Sequence, residues 1–443
     1  MNRELRHACT KALTVVIGLL TTNAWCQKIT SLDRDRALAM LQEISSDVKK
    51  HYYDPKFHGV NWDAKIEEMK QRIKTTDSMN RALSEIAAAL DSLDDSHTFF
   101  LPPSHALHYD YGWQAQVIGD RCFILRVRPG SDAEKKGVKP GDELVALNGF
   151  TPNRDNLWKM QYVFNTLRPQ PALRLDLRDP AGRQRQVEVV TTMIEKKRVA
   201  DLTVSGGNDI WDLLRQEEDT EHLGRAQFAE LNEDTGVLKF PGFHFNESEI
   251  ENMIGKARKH KALVLDLRGN PGGSVDTLKY LIAGCFEKEI KVGDRIGRSE
   301  HKPLVAKPRG HPFTGKLVVL VDSKSASASA SELFARVVQI EKRGTVLGDR
   351  SSGSVMESKH YNYKSGLDTV IFYGASITDA DLVMSDGKSL EHNGVLPDEV
   401  VLPSGDDLAN GRDPVLAHAV EAVGVRLSPE AAGKLFPYEW PKF

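Results

Sequence analysis

Cysteine is scarce in this chain, with four residues among 443. That number is too small for a disulfide framework, so a hydrophobic core must supply the stability. An excess of one charge is also missing, because 59 basic and 62 acidic residues give a net charge of −3. This balance gives no sign of a surface for nucleic acid or for an anionic membrane. The hydrophobic fraction of 40 % excludes disorder and, with the length, predicts two or three globular domains.

Long apolar runs are absent as well, apart from a short one near the N-terminus, Ala12–Leu20. Basic residues precede this run and small residues follow it, which is typical of a secretory signal peptide. The run is too short for a stable membrane span. We therefore expect residues 1–26 to be a signal peptide, cleaved after Ala24 or after Cys26. Export to the periplasm, the cell envelope or the medium follows from this expectation.

Hydrophobic periodicity divides the remaining chain into regions of different texture. Apolar residues recur at helical spacing in residues 27–105, which predicts a helical N-terminal region. Short β-rich runs separated by glycine turns fill residues 106–200. In residues 201–427, continuous apolar runs alternate with helical segments, which indicates parallel strands in an α/β core. Residues 428–443 remain as a C-terminal tail, and the predicted fold class is multi-domain α/β.

A segment of the β-rich region, VRPGSDAEKKGVKPGDELVALNG from Val127 to Gly149, resembles the middle of a PDZ domain. The resemblance implies that residues 106–200 form a PDZ-like β domain. Such domains capture polypeptide C-termini by strand addition, with backbone amides holding the carboxylate. The corresponding carboxylate loop here would be Tyr111–Ala115. A PDZ fold that binds no C-termini is the alternative.

Two loops that follow predicted buried strands carry candidate chemistry. The Ser/Ala run Ser323–Glu332 follows one strand and opens a helix, a geometry that exposes a nucleophile in front of helix amides. The segment Asp266–Gly273, DLRGNPGG, follows the other strand. Its paired glycines allow backbone N–H groups to point into a cleft, as an oxyanion hole requires. Taken alone, the serine run is also typical of a helix cap.

Together the two loops resemble those of the carboxyl-terminal processing peptidases, or tail-specific proteases, whose serine hydrolase core carries a PDZ domain. The signatures of that family, D-x-R-x-N-x-G-G and S-A-S-A-S-E, occur here in order, and the resemblance extends from about residue 35 to 405. It implies an α/β peptidase core with ClpP- and crotonase-like layering. It also implies Ser329 as the nucleophile and the amides of Gly273 and Ala330 as the oxyanion hole. Neither a cofactor nor a metal is implied.

One residue of the family pattern is missing. Members with a serine–lysine dyad carry the lysine in G-E-x-T-x-G-K, and the matching position here is Ser354. The tricorn core proteases, in the same superfamily, use a Ser-His pair from the helical region and a distant glutamate. Ser96-His97 and Glu391 resemble these residues. We therefore expect His97 to replace the lysine as general base, with Ser96 and Glu391 supporting it.

These resemblances imply an exported serine endopeptidase that cleaves polypeptides through an acyl-enzyme on Ser329. The expected partners are protein or peptide substrates, engaged through their C-termini, and the oligomeric state stays open. The alternative is a catalytically inactive protein on the same fold, since the missing lysine also fits a decayed site. Such a protein would bind peptides or lipids, since the same core fold occurs in the interphotoreceptor retinoid-binding protein and a hydrolase core can thus become a ligand site. It could also act as an adaptor for protein C-termini through its PDZ domain.

Overall fold

The computed structural model describes residues 29–103, 107–195, 224–325, 330–366 and 371–441. The predicted signal peptide lies outside the described residues, as does Ser329. No described helix has the length and apolar character needed to cross a membrane.

The described part of the chain contains eleven α-helices and eighteen strands. The helices are α1 (Ser31–His51), α2 (Trp62–Thr75), α3 (Met79–Asp91), α4 (Asp132–Lys135), α5 (Leu157–Tyr162), α6 (Glu247–Ala257), α7 (Val275–Cys285), α8 (Ala330–Ile340), α9 (Gly405–Ala409), α10 (Pro414–Ala422) and α11 (Pro429–Ala432). The strands of the N-terminal half are β1 (Phe99–Leu101), β2 (Leu107–Asp110), β3 (Trp113–Ile118), β4 (Arg121–Val127), β5 (Glu143–Leu147), β6 (Ala172–Arg178), β7 (Gln184–Val190) and β8 (Thr192–Glu195). Those of the C-terminal half are β9 (Gln227–Asn232), β10 (Thr235–Lys239), β11 (Ala262–Asp266), β12 (Ile290–Gly297), β13 (His301–Ala306), β14 (Lys316–Val321), β15 (Thr345–Gly348), β16 (Met356–Ser365), β17 (Ile371–Met384) and β18 (Glu399–Val400).

A six-stranded sheet with helices on both faces forms the α/β core. Its order is β18-β15-β14-β11-β10-β9, and all neighbours are parallel except β9 and β10. Alternate residues of β11 face opposite layers: Leu263 and Leu265 pack with α6, α7 and α8, whereas Val264 packs with α10 and α11. Burial on both faces explains why these strands are continuous apolar runs. The predicted multi-domain α/β fold class is confirmed.

A second sheet joins the N-terminal helices to this core. It has the order β1-β17-β12-β13, and β16 pairs with β17 on the side. Helices α1, α2 and α3 bury their apolar faces against Tyr363, Tyr373 and Ile377 of the β16–β17 hairpin. Strand β1 follows α3 closely and pairs antiparallel with β17, with Phe100 opposite Ala375. This pairing fixes the loop between α3 and β1 against the core.

The β-rich region forms an antiparallel sheet in the order β3-β4-β5-β6-β7, with α5 beside it. A π-helical turn, Val163–Leu167, continues α5. The PDZ-like identity of this sheet stays a prediction. Residues 428–441, which we expected to be a tail, contain α11. The same segment packs Phe436 against the core.

Candidate active site

The loop between α3 and β1 holds the predicted histidine. Asp95 fixes it, because its Oδ1 accepts hydrogen bonds from the amides of His97 (2.9 Å) and Thr98 (2.7 Å). The same oxygen accepts a hydrogen bond from Thr378 Oγ1 of β17 at 2.6 Å. Asp95 is 7 % exposed, and the sequence analysis did not single it out. An aspartate two residues before a histidine, which is the spacing of an Asx turn, was the available signal.

Ser96, His97 and Glu391 form one hydrogen-bonded chain, although Ser96 and Glu391 are 295 positions apart. Ser96 Oγ lies 2.7 Å from His97 Nδ1 and 3.0 Å from Glu391 Oε2. The other carboxylate oxygen, Oε1, accepts a hydrogen bond from the Ser96 amide at 2.8 Å. The structure thus brings together three of the predicted site residues.

The hydrogen bonds of this chain select one tautomer of the imidazole. A hydroxyl has a single proton, and Ser96 Oγ donates it to the Glu391 carboxylate. Ser96 Oγ must therefore accept from His97, which places the ring proton on Nδ1. His97 Nε2 is then the unprotonated nitrogen with a free lone pair. This nitrogen is buried and has no hydrogen-bond partner among the described residues.

Burial sets the protonation state of the histidine. His97 is 6 % exposed, and desolvation lowers the pKa of its ring from 6.5 to about 4. The neighbouring Asp95 carboxylate acts in the opposite direction on the same pKa, because it stabilises an imidazolium. The ring is therefore neutral at neutral pH, which is the form a proton acceptor needs.

Glu391 lies in the loop after β17 and also ties down a neighbouring segment. Its Oε2 accepts a hydrogen bond from the Val355 amide at 2.7 Å, in addition to that from Ser96. Burial raises the pKa of Glu391, while these donors lower it by stabilising the carboxylate. Three donors for one carboxylate hold it in a single orientation behind Ser96.

The glycine turn after β11 has the backbone geometry expected of an oxyanion loop. Asn270 is fully buried, and its side chain donates to Phe240 O and accepts from the Gly272 amide, both at 2.7 Å. Gly273 has φ +136°, and a Cβ there would lie 2.4 Å from Phe243 O, so only glycine fits. Phe243 pairs with this turn by donating to Gly272 O and accepting from the Ser274 amide. Among the described residues, the Gly273 amide has no hydrogen-bond acceptor.

The serine-rich turn begins at the end of β14 and leads into α8. Ala330, the second predicted oxyanion donor, is the first residue of α8, where helix amides lack intrahelical partners. Ser331 Oγ donates to Asn270 O at 3.4 Å and so joins α8 to the glycine turn. The start of this helix and the glycine turn are therefore neighbours, and the predicted nucleophile Ser329 precedes Ala330 by one residue.

Asp322, a residue that the sequence analysis did not single out, connects three elements at this point. Its Oδ1 accepts from the Gly269 amide at 2.9 Å, and its Oδ2 accepts from Gln116 Nε2 of β3 at 2.9 Å. Within its own turn, Oδ1 also accepts from the Lys324 amide and from Ser325 Oγ. The glycine turn, the serine-rich turn and the antiparallel sheet thus share one carboxylate.

Ser354, the residue that the resemblance aligns with the dyad lysine, lies in a loop built around a buried carboxylate. Glu332 is fully buried and accepts hydrogen bonds from Ser351 Oγ and from the amides of Gly353 (2.8 Å) and Ser354 (3.1 Å). Burial raises the pKa of Glu332 to about 7, against the effect of these three donors. Glu332 therefore shapes the loop in which the dyad lysine would stand.

A layered α/β fold, a glycine turn beside a helix start and a buried Ser-His-Glu chain are features that a serine-type hydrolase needs. Residues 234–401 match the model of Peptidase family S41, and residues 34–86 match the Tricorn protease C1 domain. Two segments of the chain are thus similar to an S41 peptidase domain and to a tricorn C1 domain. No group of three or more metal-ligating side chains occurs within the described ranges.

Curated relatives carry names that agree with this assignment. The chain is 25 % identical over 373 residues to the carboxyl-terminal-processing protease of Picosynechococcus sp., and the alignment covers 80 % of each protein. It is 24 % identical over 296 residues to the tail-specific protease of Haemophilus influenzae, which covers 62 % of this chain but only 39 % of that protein. With carboxy-terminal processing protease CtpA of Bacillus subtilis it shares 24 % identity over 351 residues, covering 75 % and 67 % of the two chains.

Two solved structures share the fold. Mature CPAF superimposes with a TM-score of 0.64 at 16 % identity, covering 86 % of this chain and 95 % of that one. The photosystem II D1 C-terminal processing protease superimposes with a TM-score of 0.51 at 18 % identity, covering 91 % and 100 %.

Proposed function

We propose that this protein is an exported serine endopeptidase in which Ser329 is the nucleophile and His97 the general base. One observation carries the proposal: the Nδ1 side of His97 is fully engaged, whereas Nε2 is buried without a partner among the described residues. A buried polar atom without a partner is costly, and a base that awaits a substrate or nucleophile proton explains it. Export rests on the signal-like sequence of residues 1–26.

The chemistry follows from this arrangement. His97 Nε2 takes the Ser329 hydroxyl proton as Oγ attacks the scissile carbonyl carbon, and the oxyanion that forms is held by the amides of Gly273 and Ala330. His97 then returns the proton to the leaving amine, the C–N bond breaks, and an acyl ester remains on Ser329. Water, deprotonated by the same nitrogen, hydrolyses the ester and restores the hydroxyl.

Ser96 and Glu391 act as positioning residues for the base. As His97 gains a proton on Nε2, the ring becomes positive, and its Nδ1–H bond to Ser96 Oγ strengthens. Ser96 in turn donates to the Glu391 carboxylate, so negative charge lies one hydroxyl away from the imidazolium. This replaces the direct histidine–carboxylate contact of the familiar serine protease triad.

The antiparallel sheet of residues 106–200 is proposed to be PDZ-like and to engage substrate C-termini. Asp322 links this sheet to the proposed active site, because it accepts hydrogen bonds from Gln116 of β3 and from the Gly269 amide of the glycine turn. The relatives named as carboxyl-terminal processing proteases support a substrate with a free C-terminus.

Covalent labelling tests the nucleophile. A fluorophosphonate probe is expected to label the wild type on Ser329, located by peptide mass spectrometry, and casein is expected to be cleaved. Ser329→Ala should abolish both, whereas the matched variant Ser327→Ala in the same turn should retain both. His97→Gln should lose labelling, compared with His301→Gln at an exposed histidine. An unlabelled wild type that binds peptides or lipids tightly would establish the inactive alternative.

A further inference from the structure

A cavity of about 380 Å³ lies between β3 and the helical segment that continues from α5. Strand β3 is at the edge of the antiparallel sheet. Its second half is taken up by the core, because Gln116 donates to Asp322 and Ser323 donates to Val117 O. Its first half lines the cavity together with the helical segment: Trp113, Gln114, Ala115, Gln161, Phe164 and Asn165.

Residues Tyr438–Pro441, near the C-terminal end of the chain, lie at this cavity, and we name them the strap. Trp440 and Pro441 form part of the cavity wall. The Tyr438 hydroxyl accepts a hydrogen bond at 2.8 Å from Nε2 of Gln114, a residue of β3 that also lines the cavity. The strap is therefore bound to the edge strand itself.

Two arginines of the sheet hold the aromatic side chains of the strap. The guanidinium of Arg126 lies 4.0 Å from the centre of the Tyr438 ring, and that of Arg128 lies 4.6 Å from the Trp440 ring. Arg128 also donates to Pro441 O at 3.0 Å and forms an ion pair with Asp110 at 2.8 Å. Arg128 is thus oriented by Asp110 to receive both the ring and the carbonyl.

The contacts of the strap are of the kind that a competitor can replace. They include cation–π contacts and single hydrogen bonds, and Tyr438 remains 41 % exposed. By contrast, the preceding Phe436 is partly buried and packs against the core, so the segment is anchored at one end. An anchored segment competes at the effective concentration of an intramolecular ligand, which excludes weak ligands and admits strong ones.

We propose that the strap Tyr438–Pro441 is an intramolecular occupant of the approach to this groove, which an incoming polypeptide must displace. The partner is a polypeptide segment of the same chemistry, with aromatic side chains for Arg126 and Arg128 and a backbone that meets β3. Lys324 of the serine-rich turn lines the same cavity, so displacement occurs next to the proposed nucleophile segment. Binding of a polypeptide to the groove does not depend on the proposed function. Only a consequence of that binding for proteolysis would depend on it.

Peptide binding to the full mature chain tests the proposal. The probe is a fluorescein-labelled peptide, Tyr-Glu-Trp-Pro, that copies the strap and binds in trans. The double variant Tyr438→Ala/Trp440→Ala is expected to bind it at least tenfold more tightly than the wild type, because the intramolecular competitor is gone. The control Phe150→Ala removes an exposed aromatic residue in the turn after β5, outside the cavity lining, and should bind as the wild type does. Equal affinities for wild type and double variant, or no binding to either, would overturn the proposal.

A second measurement does not depend on the folding of the variant. Excess unlabelled peptide is expected to raise deuterium uptake of the segment 438–441 in the unmodified protein, because the displaced strap becomes solvated. Unchanged uptake at a concentration that saturates the labelled probe would contradict the proposal. Both experiments are repeated in Ser329→Ala, so that cleavage of the peptide cannot affect the result. A wild type that binds the peptide but shows no proteolysis would reject the proposed function and leave the strap intact.

Discussion

Replacement of Glu391 by glutamine removes the negative charge behind Ser96 and His97 while keeping the size of the side chain. The imidazole Nδ1 and Glu391 Oε2 are no more than 5.7 Å apart, the combined length of the two hydrogen bonds through Ser96 Oγ. At an effective dielectric constant of about 20, a unit charge pair at that distance is worth about 3 kcal/mol. Because that interaction exists only once His97 is protonated, it acts on the transition state. We expect kcat/KM to fall roughly 100-fold.

The assay compares kcat/KM on a peptide with a free C-terminus at pH 8, normalised to the fraction of folded protein. Glu287→Gln, at an exposed glutamate without a described hydrogen bond, is the matched control and should behave as the wild type. The glutamine also leaves three former donors with a poorer acceptor, which could destabilise the fold. Circular dichroism therefore distinguishes unfolding from loss of catalysis.

A double-mutant cycle tests whether Ser96 and Glu391 act along one path. Ser96→Ala removes the bridging hydroxyl. In the Ser96→Ala background, Glu391→Gln should therefore lower kcat/KM far less than it does in the wild type. Fully additive losses would refute the reasoning, since they require Glu391 to act without Ser96. An unchanged kcat/KM in Glu391→Gln would refute it more directly.

Three other perturbations follow from the same geometry. Gly273→Ala puts a Cβ 2.4 Å from Phe243 O at φ +136°, so we expect a loss of kcat of about 100-fold or more, measured with thermal melting to separate misfolding. Asp95→Asn weakens the acceptor for two amides and Thr378, and urea unfolding should show about 1–3 kcal/mol of lost stability. Because burial lowers the pKa of His97 to about 4, the acid limb of kcat/KM should lie near pH 4 rather than 6.5. Between those values the unfolded chain binds the proton first, so the free energy of unfolding should fall by about 3 kcal/mol on acidification, and His97→Gln should remove that dependence.

Local sequence was sufficient for most of the secondary structure near the site. Continuous apolar runs predicted β11 and β14, and both are buried on two faces. The turn that follows β11 depends on residues adjacent in sequence. The Asn270 side chain accepts a hydrogen bond from the Gly272 amide, and Gly273 adopts a positive φ. The serine run was likewise predicted to open a helix, and the helix begins at Ala330 within that run.

Other features had no local signal. Asp322 is one aspartate after a strand, and only the packing of the antiparallel sheet brings Gln116 to it. Glu332 belongs to the serine motif, but its function as acceptor for the loop around Ser354 depends on the return of the chain 20 residues later. The segment 438–441 had no periodicity or motif, and its contacts with Arg126 and Arg128 arise from the sheet it meets.

The sequence by itself determined the two loop motifs, the order of the regions and the identity of Ser96, His97 and Glu391 as candidates. The loops and regions could be predicted because glycine conformations, small side chains and hydrophobic periodicity are properties of short segments, whereas Ser96, His97 and Glu391 were implied by the resemblance to the tricorn core proteases. Tertiary structure alone decided that Ser96 and Glu391 meet across 295 positions, through the pairing of β1 with β17. It also decided the lowered pKa of His97, because desolvation is a property of everything packed around the ring and of no residue by itself.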